Sequence, residues 1–260
     1  MSKSQANSKP LFLGIDQTGA ITKAGRPKPL EAMLLREGEL IPCRLERLTQ
    51  SALCKALAWP EIPSSLTIIA DCVLGLPQGV RPGFYEALAR AGQTDAFGRL
   101  AAQAFFESLE RAEPLPRREV EVRCKANSVF QTHPFQKNIQ TGTFRMWKDL
   151  AAEPGWFHFP VLDSGGARAS TPIFEGYPSL SWKQLFGVNK RSPERLAALI
   201  QIRFPEINIS VETKALIEKD PNLADAAVLA LAGWYWLYKN KFSWLKYPKA
   251  QIEGWILGAD

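Results

Sequence analysis

The stretch Leu11-Phe12-Leu13-Gly14-Ile15-Asp16-Gln17-Thr18-Gly19 is a short apolar run that delivers a carboxylate and then meets a glycine-containing turn. A second run has the same form. It is Leu66-Thr67-Ile68-Ile69-Ala70-Asp71-Cys72-Val73-Leu74-Gly75-Leu76-Pro77. Each reads as a buried strand of a few residues that ends near an aspartate. A carboxylate beside a core strand is costly unless it is paired, hydrogen-bonded or bound to a cation. If the two strands lie side by side, Asp16 and Asp71 form a site of hard oxygen ligands suited to Mg²⁺. The simpler alternative is that each aspartate only organises its own turn through local hydrogen bonds.

Working outward, Ala32–Arg36 and Leu40–Leu45 flank Glu37-Gly38-Glu39, the pattern of an antiparallel hairpin. Thr49 is placed to cap a helix over 50–59. The spacing predicts helices over 81–91, 95–111 and 143–152, and residues 78–160 read as a helical insertion on the basic fold. Thr171-Pro172-Ile173-Phe174-Glu175-Gly176-Tyr177-Pro178 reads as a further strand with a carboxylate near its end. Helices are expected at 179–186, at 193–203 after Ser192 and with Pro193 first, and at 211–218. A long, apolar helix is expected over 223–238. In this helix Asn222 is a candidate N-cap, with Asp225 as the third helical residue, favoured there by the helix dipole. A helix start is also a place from which Asp225 can point at a metal. The first ten residues are polar and read as a disordered tail before a single domain over 11–260.

Composition narrows the function. The chain has 260 residues, is 46% hydrophobic and has a formal net charge of +6. Its isoelectric point near 9.2 is compatible with a polyanionic partner. No apolar run reaches 18 residues, so a membrane span is not expected. Cys43, Cys54, Cys72 and Cys124 form no CxxC pair, which argues against structural zinc and fits a reducing, cytoplasmic setting. The two histidines, His133 and His158, have no neighbour at metal-ligand spacing, and acyl-transfer nucleophile motifs are absent.

The remaining chemistry is carried by carboxylates. Two carboxylates about 4 Å apart repel by about 4 kcal/mol at an effective dielectric of 20. Such a cluster either raises its pKa values or binds a cation. With Mg²⁺ or Mn²⁺ it becomes a device for phosphodiester hydrolysis. Asp16, Asp71 and Asp225 are the candidate metal ligands, with Glu175 as a further ligand or a group that orients water.

The layout of strand-aspartate, hairpin, helix, strand-aspartate and late helix-aspartate resembles ribonuclease H-like nucleases and Holliday-junction resolvases. Several blocks, in order, also resemble the family called domain of unknown function 429. They are Gly14-Ile15-Asp16, Ala70-Asp71-Cys72-Val73-Leu74-Gly75-Leu76-Pro77, Lys125-Ala126-Asn127-Ser128-Val129-Phe130 and Thr141-Gly142-Thr143-Phe144-Arg145-Met146-Trp147. Phe174-Glu175-Gly176-Tyr177-Pro178, Asp225-Ala226-Ala227 and Glu253-Gly254-Trp255-Ile256 complete the series. The resemblance implies an α/β fold with a ribonuclease H-like mixed sheet flanked by helices. It also implies a nuclease with Asp16, Asp71 and Asp225 at a Mg²⁺ or Mn²⁺ site, Glu175 close by, and DNA or RNA as substrate. Resolvases of this fold often carry a second acid three residues before the helix aspartate; this chain has Asn222 there.

Two other readings stay open. Actin-like phosphotransferases also begin with a strand, an aspartate and a Thr-Gly turn, and Asp163-Ser164-Gly165-Gly166 is a candidate second phosphate loop. A non-catalytic nucleic-acid-binding module is suggested by residues 234–249, which interleave tryptophan, tyrosine and phenylalanine with lysines including Lys239 and Lys241. Aromatic faces stack bases and lysines track phosphates. The plainer alternative is a helix end that packs its aromatics into the core and leaves its lysines in water.

Overall fold

The computed structural model describes residues 9–17, 28–75, 117–126, 137–153, 156–158, 160 and 171–259. The chain is α/β, with a mixed sheet flanked by helices. Its strands are β1 (Leu11–Asp16), β2 (Leu30–Arg36), β3 (Glu39–Leu45), β4 (Leu66–Ala70), β5 (Phe157–His158) and β6 (Thr171–Glu175). Their order across the sheet is β3-β2-β1-β4-β6-β5. β2 runs antiparallel to β1 and to β3, whereas β1, β4, β6 and β5 are mutually parallel.

The hairpin expected between 32 and 45 is present, and its turn has a local cause. Glu37 and Gly38 have φ of 53° and 86°. Two successive left-handed residues give the tight turn whose twist matches that of the flanking strands. α1 (Gln50–Leu57) follows, and Thr49 caps it by accepting a hydrogen bond from Ala52 N at 3.3 Å.

Period-2 alternation divides each strand between two cores. Leu11, Leu13 and Ile15 of β1 and Ile68 and Ala70 of β4 face one side. There they pack with Leu53 of α1 and with Met146 and Leu150 of α3 (Lys137–Ala151). Phe12 and Ile69 face the other side, against α4 (Pro178–Phe186), α5 (Pro193–Arg203), α6 (Val211–Lys219) and α7 (Pro221–Gly233).

α7 is buried continuously from Leu223 to Gly233 and is rich in alanine, so its backbone lies close against the sheet. The contact is closest at Gly14. A Cβ there would overlap the carbonyl oxygen of Ala226 and the amide nitrogen of Ala230. Backbone on backbone leaves nothing free to move aside, so this position of β1 requires glycine.

The helix starts differ in detail from expectation. Asp220, not Asn222, caps α7, accepting from Asn222 N at 2.9 Å and Leu223 N at 3.3 Å. Pro221 takes the first helical position, so Asp225 is the fifth helical residue, beyond the first turn. Ser192 precedes α5 but makes no capping bond with its side chain. The helix expected to reach residue 238 leaves α geometry after Gly233 and continues as a π-helical turn over Trp234–Lys239.

A five-residue helix, α2 (Glu119–Arg123), was not anticipated from sequence. α2 and α3 both fall within the stretch read as an insertion, and α3 is a structural layer of the sheet. The expected helices over 81–91 and 95–111, the tail over 1–8, the turn at Thr18-Gly19 and the Asp163–Gly166 loop lie outside the described residues. No helix among the described residues is long and apolar enough to cross a membrane.

Candidate carboxylate site

The alternation that buries Phe12 and Gly14 against α7 sends Asp16 to the same face. It likewise sends Asp71 to the face of Ile69. The strands are in register, with Ile15 opposite Ala70. The pairing extends one step past β4, because Asp71 N donates to Ile15 O at 2.8 Å. The two aspartates therefore stand together at the carboxyl ends of neighbouring parallel strands. Strand order reverses between β1 and β4, and ligands of open α/β sheets bind at such a point.

Their side chains hydrogen-bond to each other. Asp16 is buried. Desolvation, then the charges of Asp71 and Asp225 and the bond to Asp71, hold its carboxyl well above the usual range. Asp71 is pushed up to about 7, chiefly by desolvation and further by Asp225 and Glu175, against the lowering effects of the Asp16 bond and of Arg191. Two acids in this relation titrate as a pair and hold their protons to higher pH than free carboxyls do.

Asp225 comes from α7 on the third side and is fully buried. Trp182 of α4 donates its indole N–H to Asp225 Oδ1 at 2.7 Å. Arg191, from the connection between α4 and α5, places Nη1 2.6 Å from Oδ2. That approach is an ion pair without hydrogen-bond alignment, for Oδ2 accepts no hydrogen bond. Desolvation raises the Asp225 carboxyl, and Arg191 and then Trp182 oppose the rise.

Glu175 sits one strand further along, opposite Ala70. Arg118 grips it with both terminal nitrogens, Nη2 to Oε1 at 2.5 Å and Nη1 to Oε2 at 2.7 Å. Oε2 also accepts from Leu74 N at 3.0 Å. Arg118 further bonds Glu121 through Nε at 3.0 Å, while Glu121 reaches back to accept from Arg118 N. Glu175 thus braces the loop that carries Asp71. α3 braces the same loop from the other side, where Trp147 Nε1 donates to Val73 O at 2.5 Å. Both oxygens of Glu175, the residue expected to bind metal or orient water, are engaged by Arg118 and by Leu74 N.

The structure therefore sets Asp16 beside Asp71, brings the charge of Asp225 within reach of both, and places Glu175 on the next strand. The oxygen donors suit Mg²⁺ or Mn²⁺ in chemical type. In this conformation, however, no three His, Cys, Asp or Glu side chains among the described residues converge as a metal-binding group. Asp225 is turned instead toward Trp182 and Arg191.

Lys239 and Lys241 lie elsewhere. Lys239 is 14 residues along the helix from Asp225, about 20 Å at helical rise. Its Nζ lies 3.3 Å from Glu206 and 5.0 Å from the ring centre of Trp234. Lys241 is exposed and has a positive φ of 48°. Trp234, Tyr235, Trp236 and Phe242 belong to the α7 core and its packing partners. Tyr238 of the same run is exposed.

Burial pushes Cys43 up to about 12, Cys124 up to about 11 and Cys72 well up.

Sequence reading missed Arg191, Trp182 and Arg118. Trp182 carried a faint signal, as a tryptophan in a short helix next to the strand-ending Glu175. Arg191 stood in Asn189-Lys190-Arg191-Ser192 with nothing to set it apart from solvated charge. Comparison of the chain with protein-family models, curated proteins and solved structures finds no match.

Proposed function

We propose that this chain is a metal-dependent nuclease of ribonuclease H-like fold that hydrolyses phosphodiester bonds of DNA or RNA. The observation that carries the reading is the pairing of Asp16 and Asp71 at the carboxyl ends of β1 and β4, with Asp225 of α7 near enough for its charge to raise both. Further support comes from the sheet order, in which an antiparallel β1-β2-β3 unit continues into parallel β4 and β6. The net charge of +6 suits a polyanionic substrate.

Asp16, Asp71 and Asp225 would hold Mg²⁺ or Mn²⁺. The metal supplies an activated water and neutralises charge on the phosphodiester. The Asp16–Asp71 pair would give up its protons on loading of the site, since the charged forms would then be favoured. Trp182 keeps Asp225 oriented through Oδ1. Glu175 is a positioning residue that acts through Leu74 on the loop of Asp71. Asn222 is exposed and caps nothing, so the helix supplies one carboxylate, Asp225, to the site.

The test is a cleavage screen with Mg²⁺ and with Mn²⁺ over single-stranded DNA, duplex DNA, RNA and branched junctions. Wild type should cleave at least one of them, and Asp16→Asn and Asp225→Asn should lose that activity while keeping their fold. Activity retained in Asp16→Asn would sink the mechanism.

A further inference from the structure

We propose that Arg191 is the resident counter-ion of the carboxylate site, which a divalent cation must displace from Asp225 in order to bind. The inference rests on the reading of Asp16, Asp71 and Asp225 as a metal site.

The geometry is that of a removable plug. The Arg191 side chain is 47% exposed, yet its Nη1 lies 2.6 Å from an oxygen of Asp225, whose side chain is 0% exposed. It extends from an irregular connection between the C-cap Gly187 and the start of α5, so no regular element fixes its backbone. Oδ1 of Asp225 is held by the Trp182 indole, whereas Oδ2 has only the charge of Arg191 and accepts no hydrogen bond. Releasing Oδ2 therefore breaks the ion pair with Arg191, and the freed guanidinium enters water.

The charge of Arg191 also reaches Asp16 and Asp71, both of which it favours in the ionised form. One monovalent cation thus serves all three acids. A carboxylate buried without a partner is costly. In the metal-free protein Arg191 offsets part of that cost at Asp225, and a divalent ion would take over with twice the charge. The failure of the three carboxylates to converge follows from the same contact, since Asp225 is held toward Arg191.

The experiment titrates Mn²⁺ calorimetrically into wild type, Arg191→Ala and Arg191→Gln, with folding checked by circular dichroism. Removing the competitor should tighten Mn²⁺ binding by up to about fivefold in Arg191→Ala, the weight of one partly exposed ion pair. Arg191→Gln, which keeps a polar side chain over Asp225 without charge, should tighten it comparably and covers the case in which the alanine variant does not fold. Adding Asp16→Asn to either variant should abolish the binding. Equal or weaker affinity in the Arg191 variants overturns the counter-ion role and leaves the metal site standing. Binding that survives Asp16→Asn, or no binding by any variant, overturns both.

Discussion

The carboxyl of Asp16 hydrogen-bonds that of Asp71 across the β1–β4 boundary. An unfolded aspartate titrates near 3.9, as a typical value. Folded Asp71 is pushed up to about 7 and Asp16 is also raised. Between these pH values the folded protein holds protons that the unfolded chain has released. The pair's contribution to stability is therefore greatest at low pH and declines as pH rises from about 4 to about 7. Melting temperature measured over that range should fall less steeply in a double Asp16→Asn, Asp71→Asn variant than in wild type. An unchanged slope would show that the folded pair does not hold its protons above the unfolded range.

Asp16→Asn alone should stabilise the protein at pH 7 to 8. The amide keeps a donor for Asp71 and removes one buried acid. Each kcal/mol gained should raise the melting temperature by about 2–4 °C in a chain of this size. The gain should shrink at pH 4, where the wild-type pair is already protonated. A lower melting temperature at pH 8 would contradict the arrangement.

Arg118 is the buried hub of Glu175 and Glu121. Arg118→Met would leave two buried carboxylates without their cation. A loss of about 3–5 kcal/mol in chemical denaturation is expected. The double variant Arg118→Met, Glu175→Gln should recover part of that loss, because one uncompensated charge is gone. No recovery would place the cost in packing instead.

Gly14→Ala tests the approach of α7 to β1. The added methyl would meet the backbone of α7 at Ala226 and Ala230, so helix and strand must separate. Overpacking of this kind costs about 1–3 kcal/mol or more. Because α7 carries Asp225, the same variant should weaken Mn²⁺ binding. Full stability with normal binding would show that the helix shifts freely.

Trp182→Phe keeps most of the ring and deletes the donor to Asp225. Hydrogen bonds to charged groups contribute about 1.5–3 kcal/mol. Stability at pH 7 should drop by an amount of that order, and less at low pH, where Asp225 is protonated. A pH-independent loss would mean that only packing had changed.

Much of this arrangement follows from local sequence. Leu11–Asp16 and Leu66–Ala70 are strands because they are short apolar runs, and the chain turns at Glu37-Gly38 because Gly38 takes a positive φ without steric cost. Helices α4, α5 and α6 lie within a residue of their expected bounds, set by Pro178, Pro193 and Ser210. Asp16 and Asp71 were legible as candidates because a carboxylate interrupting a core run is expensive and asks for a partner. What the partner is depends on strand order, which local pattern does not encode. Only tertiary packing set β1 beside β4 in register, brought Asp225 across from α7, and turned Glu175 toward Arg118. Arg191 was invisible for the same reason. An arginine in a polar loop looks like solvated charge until the fold places a fully buried aspartate within reach of its guanidinium.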